Sequence, residues 1–187
     1  MSVSLDGFFE GPDHDLGWHN VDDEFNDFAA DMMNNTGALL FGRGDYELMS
    51  GFWPYHQAAA GHDGDNTVAE RMNNLPKVVF SRTLDSVDWD GAADNIRLVK
   101  DNVAAEVTKL KQAAGKDLSA GGSNFCVSLL ELGLLDEVRL MVMPVVIGQG
   151  TALFHGLKKP LNLELSGSRQ FKSGNVLLTY NVIKEGL

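Results

Sequence analysis

The chain has 187 residues, enough for one domain with a proper core. Acidic residues number 26 against 15 basic ones, a formal charge of −11, which argues against nucleic acid as a partner. It leaves room for a phosphate-bearing cofactor, which needs only a helix N-terminus and one or two arginines. No apolar run is long enough for a bilayer, and residues 1–11 carry no basic region or long apolar block. With one cysteine, Cys126, no internal disulfide can form, so a cytoplasmic setting is expected, with no membrane partner.

In chain order, residues 2–5 read as a short strand ending at the turn pair Asp6-Gly7, followed by a polar loop broken at Gly11-Pro12-Asp13 and Asp15-Leu16-Gly17. Val21, Phe25, Phe28, Ala29 and Met32 recur at helical spacing behind acidic first-turn residues. Residues 38–41 form a buried strand between Gly37 and Gly42. The Gly-, His- and Asp-rich segment 51–65 reads as a mobile loop, followed by a short helix over 68–72. Buried strands are expected at 77–80 and 96–99, then an amphipathic helix with Asn102 as its N-cap and Gly115 past its end. A short strand at 118–120 runs into Gly121-Gly122, and Ser123 caps an apolar helix reaching Leu132. Residues 137–143 are another strand. Residues 161–165 and 176–183 alternate like antiparallel strands joined through Ser173-Gly174-Asn175. Strands separated by helices and closed by a hairpin imply an α/β fold with a mostly parallel sheet, whose ligands lie at the carboxyl ends of the strands.

Three strand ends share one design. Phe41-Gly42-Arg43-Gly44-Asp45-Tyr46-Glu47 and Ala120-Gly121-Gly122-Ser123-Asn124 are each a strand, a glycine turn and a helix start. Phe80-Ser81-Arg82-Thr83 ends a strand in hydroxyls and a guanidinium. Glycines admit a ligand close to the backbone, helix N–H groups favour an anion, and arginine pairs with phosphate. A plain tight turn accounts for any one of them equally well. Three on one edge point to a nucleotide.

These segments, with Ser4-Leu5-Asp6-Gly7-Phe8, Lys77-Val78-Val79-Phe80-Ser81-Arg82-Thr83-Leu84, Pro144-Val145-Val146-Ile147-Gly148-Gln149-Gly150 and Phe171-x-Ser173-Gly174-x-Val176, occur in an order that resembles the reductase half of the bifunctional riboflavin deaminase-reductase. That family is related to dihydrofolate reductase. The resemblance implies a dihydrofolate-reductase-like three-layer α/β/α fold, with a mostly parallel central sheet and an antiparallel C-terminal hairpin, over a single domain of residues 1–187. It implies NADPH as cofactor. Gly42 and Arg43 match the turn holding its phosphates, and Ser81 and Arg82 match the segment beside the adenosine 2′-phosphate. Gly121, Gly122 and Ser123 match the turn under the pyrophosphate, and Ile147, Gly148 and Gly150 a segment at the nicotinamide end. Relatives usually carry several more apolar residues before the Ser-x-x-Gly segment, so the first strand is expected to be shortened. Folate reductases anchor their ring with a carboxylate where Asn26 stands here, so folate reduction itself is not expected.

The family reaction reduces the ribosyl group of a phosphoribosylamino-pyrimidine. No lysine or arginine lies between Met1 and Asn35 to receive that substrate's phosphate. The expected activity is therefore hydride transfer from NADPH to a small, unphosphorylated heterocyclic, imine or carbonyl substrate. A pterin-type reductase and an NADPH binder without turnover are the alternatives. The expected substrate pocket is formed by Asp6, Trp18, Phe25 and Phe28, with Asp6 as either a proton donor or merely the cap of its Asp-Gly turn. His14 and His19 read as loop histidines, and His56 and His62 lack metal spacing, so no metal is assigned. The apolar run 140–147 and the tail strands lead us to expect a homodimer.

Overall fold

The computed structural model describes residues 1–56, 63–90, 93–113 and 115–184. The strands are β1 (Ser2–Ser4), β2 (Phe8–Glu10), β3 (Thr36–Gly42), β4 (Lys77–Phe80), β5 (Ile96–Val99), β6 (Asp117–Gly121), β7 (Glu137–Met143), β8 (Thr151–Ala152), β9 (Leu163–Gln170) and β10 (Val176–Val182). The helices are α1 (Asp23–Asn35), α2 (Arg43–Phe52), α3 (Asp63–Asn74), α4 (Val103–Gln112) and α5 (Ser123–Glu131). They fall into two compact units, Asp23–Phe125 and Met1–Asp22 with Cys126–Leu187; the boundary lies within α5. This is an α/β fold with a four-stranded parallel sheet plus antiparallel strands.

In the unit Asp23–Phe125 the sheet order is β5-β4-β3-β6, all parallel. The two inner strands read as unbroken apolar runs because both of their faces are covered; Leu39, Leu40, Val78 and Val79 are almost fully buried. Ala30, Met33, Val68, Met72 and Trp89 close the core around Leu39, Phe41 and Val79. Trp89, which sequence patterning passed over, stacks on Phe41 with ring centroids 6.2 Å apart and donates to Asn73 Oδ1 at 2.9 Å.

Two expectations are corrected in this unit. The segment 51–65 is not a loop at either end: α2 continues through Phe52, and α3 already starts at Asp63. Its middle, 57–62, lies outside the described residues. Tertiary packing overrides the glycine signal here. A β-carbon at Gly64 would come within 2.9 Å of the Asn26 backbone, so this glycine lets the first turn of α3 lie directly on α1. Asn102 precedes α4 as expected, but it takes the left-handed conformation (φ 57°) and its side chain makes no capping hydrogen bond.

The second unit holds the order β1-β7-β10-β9, with β1 parallel to β7 and the rest antiparallel, and a small β2-β8 pair. The expected hairpin is β9-β10, turning at Gly174 with φ 89°. Its first strand starts later and runs further than the alternation indicated, to Gln170. That stretch lies on the sheet's outer edge, where Ser166, Ser168 and Arg169 are solvated and no apolar period is imposed. The short β2 and β8 carry no sequence signal of their own. Asn20 Nδ2 donates to Asn175 Oδ1 and to Ser173 O, and Asn175 Nδ2 donates back to the Asn20 main-chain carbonyl, which anchors the entry loop on the hairpin turn.

Lys77 opens β4 yet is 1% exposed. Its ammonium donates to the carbonyls of Asn73 and Leu75, both at 2.8 Å, and lies 4.5 Å from the Trp89 ring centroid. It closes the C-terminus of α3, where carbonyls lack helical partners and the dipole favours a cation. Lys77→Met fills similar space but strands those carbonyls, and is expected to cost about 2–3 kcal/mol in urea denaturation.

Candidate functional site

Parallel register sets the geometry of the carboxyl edge in the unit Asp23–Phe125. Gly42 pairs with Phe80, and Phe41 pairs with Gly121, so three strands end at one level. From them leave α2, the turn 81–84 and α5. Gly42, Arg43, Ser81, Arg82, Gly121, Gly122 and Ser123 are thereby brought to one sheet edge.

The cluster is held by its own hydrogen bonds. Arg43 donates from Nε to Glu47 Oε1 at 2.7 Å, one helical turn on, and from Nη1 to Thr83 Oγ1 at 3.1 Å. Ser81 Oγ accepts the backbone N–H groups of Thr83 and Leu84, each at 3.2 Å, and lies 3.3 Å from Thr83 Oγ1. Arg82 is exposed and makes no hydrogen bond or ion pair to a described residue. Two hydroxyls, one braced guanidinium and one free guanidinium thus share the turn. Thr83, one of the hydroxyls the motif offers, acquires its partner Arg43 only through the fold. Tyr46 also acquires a role: its hydroxyl accepts from Asp88 N and donates to Asp88 O, both at 2.9 Å, tying α2 to the segment after β4.

The glycines turn out to have steric duties inside the protein. A β-carbon at Gly42 would stand 2.9 Å from Phe125 Cβ, so the close packing of α5 requires this glycine. At Gly121 a β-carbon would collide with Asp45 Oδ2. At Gly122 it would lie 2.9 Å from Asp45 Cβ, and φ is 80°. Asp45, in the first turn of α2, therefore stands directly over the second glycine turn. Its Oδ2 is buried and has no hydrogen-bond partner. Desolvation pushes its carboxyl up to about 6.

In the other unit, the carboxylate of Asp6 accepts the N–H groups of Ile147 at 3.2 Å and Gly148 at 2.8 Å. The Ser4 hydroxyl and these two N–H groups hold it below the usual carboxylate range, so Asp6 is an ionised clamp on the 147–148 backbone. This contact, to residues far along the chain, adds a positioning role to the two readings taken from its sequence. Gly148 has φ 74°, and its α-carbon faces open space. A β-carbon at Gly150 would collide with Glu10 O, so this glycine serves the β2-β8 contact. An open cleft of about 440 Å³ lies beside it, lined by residues 10–14 and 149–151. Trp18 is half-buried; it donates to Asp15 O at 3.1 Å and packs edge-on against His19. Burial lowers the His19 imidazole below its ordinary range, and its Nε2 has no partner. Phe25 and Phe28 are half-buried on α1 in the first unit. Among the described residues no three metal-ligating side chains cluster, and no helix is long and apolar enough to cross a membrane.

The chain belongs to the RibD C-terminal domain family, whose model matches residues 1–177. It is 32% identical over 182 residues to the uncharacterized protein YyaP of Bacillus subtilis (strain 168), covering 97% of this chain and 92% of that one. Its fold is similar to that of a protein assigned to riboflavin biosynthesis from Shewanella sp. PV-4, with TM-score 0.74 at 21% identity over 98% and 97% of the two chains. It is also similar in fold to a diaminohydroxyphosphoribosylaminopyrimidine deaminase/5-amino-6-(5-phosphoribosylamino)uracil reductase from Thermotoga maritima. There the TM-score is 0.68 at 16% identity, over 97% of this chain and 55% of that one.

Asp45 has a measurable signature. Its folded pKa of about 6 exceeds the ordinary 3.8, so its ionisation opposes folding. The stability it allows is complete below pH 3.8 and is lost as pH rises through about 6. Asp45→Asn is therefore expected to melt higher than the parent above that pH, with the advantage vanishing in acid, in paired thermal melts across the range.

Proposed function

We propose that the chain is an NADPH-dependent reductase whose dinucleotide lies along the carboxyl edge of the parallel sheet β5-β4-β3-β6, with residues 1–187 working as one reductase domain. The observation that carries this reading is the register that ends β3, β4 and β6 within one residue of each other, Gly42 against Phe80 and Phe41 against Gly121. It gathers Arg43, Ser81, Arg82 and Thr83 at one edge, where strand order and helix starts favour a phosphate-bearing ligand. Membership of a reductase family supports it independently. The donor set suits the adenosine 2′-phosphate in its chemistry: the hydroxyls of Ser81 and Thr83 lie 3.3 Å apart, and the exposed Arg82 between them in the chain supplies a guanidinium. The start of α5 at Ser123, beside Gly121 and Gly122, offers helix N–H groups to the pyrophosphate. The family resemblance gives Ile147, Gly148 and Gly150 the nicotinamide end, and the Asp6 clamp keeps that backbone in place.

The bound dinucleotide supplies the hydride; the protein's part is to orient it and to exclude water. Trp18, Phe25 and Phe28 are assigned to the substrate as apolar walls. Asp6 remains the proposed catalytic carboxylate: held ionised against the 147–148 backbone, it passes on a proton taken from water. The assembly proposed is a homodimer working in the cytoplasm; exposed Val146 and Leu165 supply apolar surface for it.

Isothermal titration tests the cofactor. NADPH is expected to bind at least about tenfold more tightly than NADH, and Arg82→Ala to erase most of that preference. Equal affinities in the parent chain contradict the reading. Steady-state assays test the substrate class. An unphosphorylated ring compound is expected to show higher kcat/KM than its phosphoribosyl counterpart, because residues 1–35 present no lysine or arginine to a substrate phosphate.

A further inference from the structure

We infer that Asp45 is a specificity-determining residue of the dinucleotide edge: its carboxylate covers the Gly121-Gly122 turn and opposes the pyrophosphate, so that NADPH is held chiefly through its adenosine 2′-phosphate end. This rests on the NADPH reading and adds a discriminating element to it.

The Asp45 side chain extends from the first turn of α2 to the next strand end, where both glycines must lack a β-carbon to admit it. Oδ2 is buried with no hydrogen-bond partner, although the start of α5 lies one residue beyond Gly122. The nearest arginine in sequence, Arg43, is directed to Glu47 and Thr83. Burying Oδ2 without a donor costs the fold free energy, which the favourable place of a carboxylate in the first turn of α2 offsets only in part. Burial pushes its pKa up to about 6, so it is still mostly ionised at neutral pH. A pyrophosphate settling on this turn meets a negative charge where a helix start alone would attract it. A neutral side chain of the same shape removes the repulsion, and an amide also offers a donor to the phosphate oxygens.

The test is binding, read by calorimetry at neutral pH and low salt on the full chain and on Asp45→Asn and Asp45→Ser. Two probes are used: NADPH, and adenosine 2′-monophosphate, which lacks the pyrophosphate. The inference expects both variants to bind NADPH about tenfold more tightly or better, with adenosine 2′-monophosphate unchanged and the NADPH gain shrinking as salt rises. An NADPH affinity that is unchanged or weakened in both variants overturns it. An equal gain for both probes also overturns it, since the effect is then one of net charge alone. If the parent chain binds NADPH and the variants gain nothing, only this inference fails. If neither parent nor variants bind either probe, the NADPH reading fails and takes the inference with it. Thermal melts of the variants establish that they are folded.

Discussion

The candidate site depends on the register of one strand. β3 pairs in parallel with β4 on one side and β6 on the other, and the pairing sets Gly42 level with Phe80 and Phe41 level with Gly121, so the three strands end within one residue of each other. β3 is buried on both faces, so a slip by one residue would keep apolar side chains inside but exchange Leu39 and Phe41 for Ala38 and Leu40 against each face. The misfit in size makes such a slip costly, with Phe41 fixed against Trp89. The chemistry at the edge is then a consequence of core packing below it. Lys77 contributes from the opposite end of β4, where it closes α3 with two hydrogen bonds.

The second constraint is the close approach of α2 to the turn after β6. Gly121 and Gly122 leave room for Asp45, and Gly42 leaves room for Phe125. A glycine that looks like a ligand's entry is here also a packing contact. The two duties are compatible, since a turn built for close backbone approach serves a neighbouring side chain or a phosphate by the same geometry. Asp45 makes the difference between them chemical: its Oδ2 is a buried, unsatisfied oxygen at the point where the family resemblance places negative phosphates.

Much of this was legible in the sequence. The buried strands at 77–80 and 96–99 and the strand at 137–143 follow from short apolar runs between breakers. The helix starts after Gly42 and Gly122 follow from glycine turns. What was not legible depended on tertiary contact. Gly64 reads as a helix breaker until the Asn26 backbone lies against it. The later part of the outer strand β9 has no apolar period because consecutive residues there, on both faces, are exposed. Asp6 reads as a turn cap, and its grip on Ile147 and Gly148 joins residues some 140 positions apart. Thr83 and Tyr46 were visible as residue types within motifs, but their partners Arg43 and Asp88 lie far off in sequence. Asp45 showed only as one residue of a helix start, and nothing in its neighbourhood announces Gly121.

The central claim is that the carboxyl edge of the parallel sheet is the dinucleotide site. Amide hydrogen exchange with and without NADPH tests it most directly. The account predicts new protection concentrated at residues 42–45, 81–84 and 121–124, with the amino ends of β3, β4 and β6 unchanged. Protection confined to other segments, or none at saturating NADPH, would contradict it.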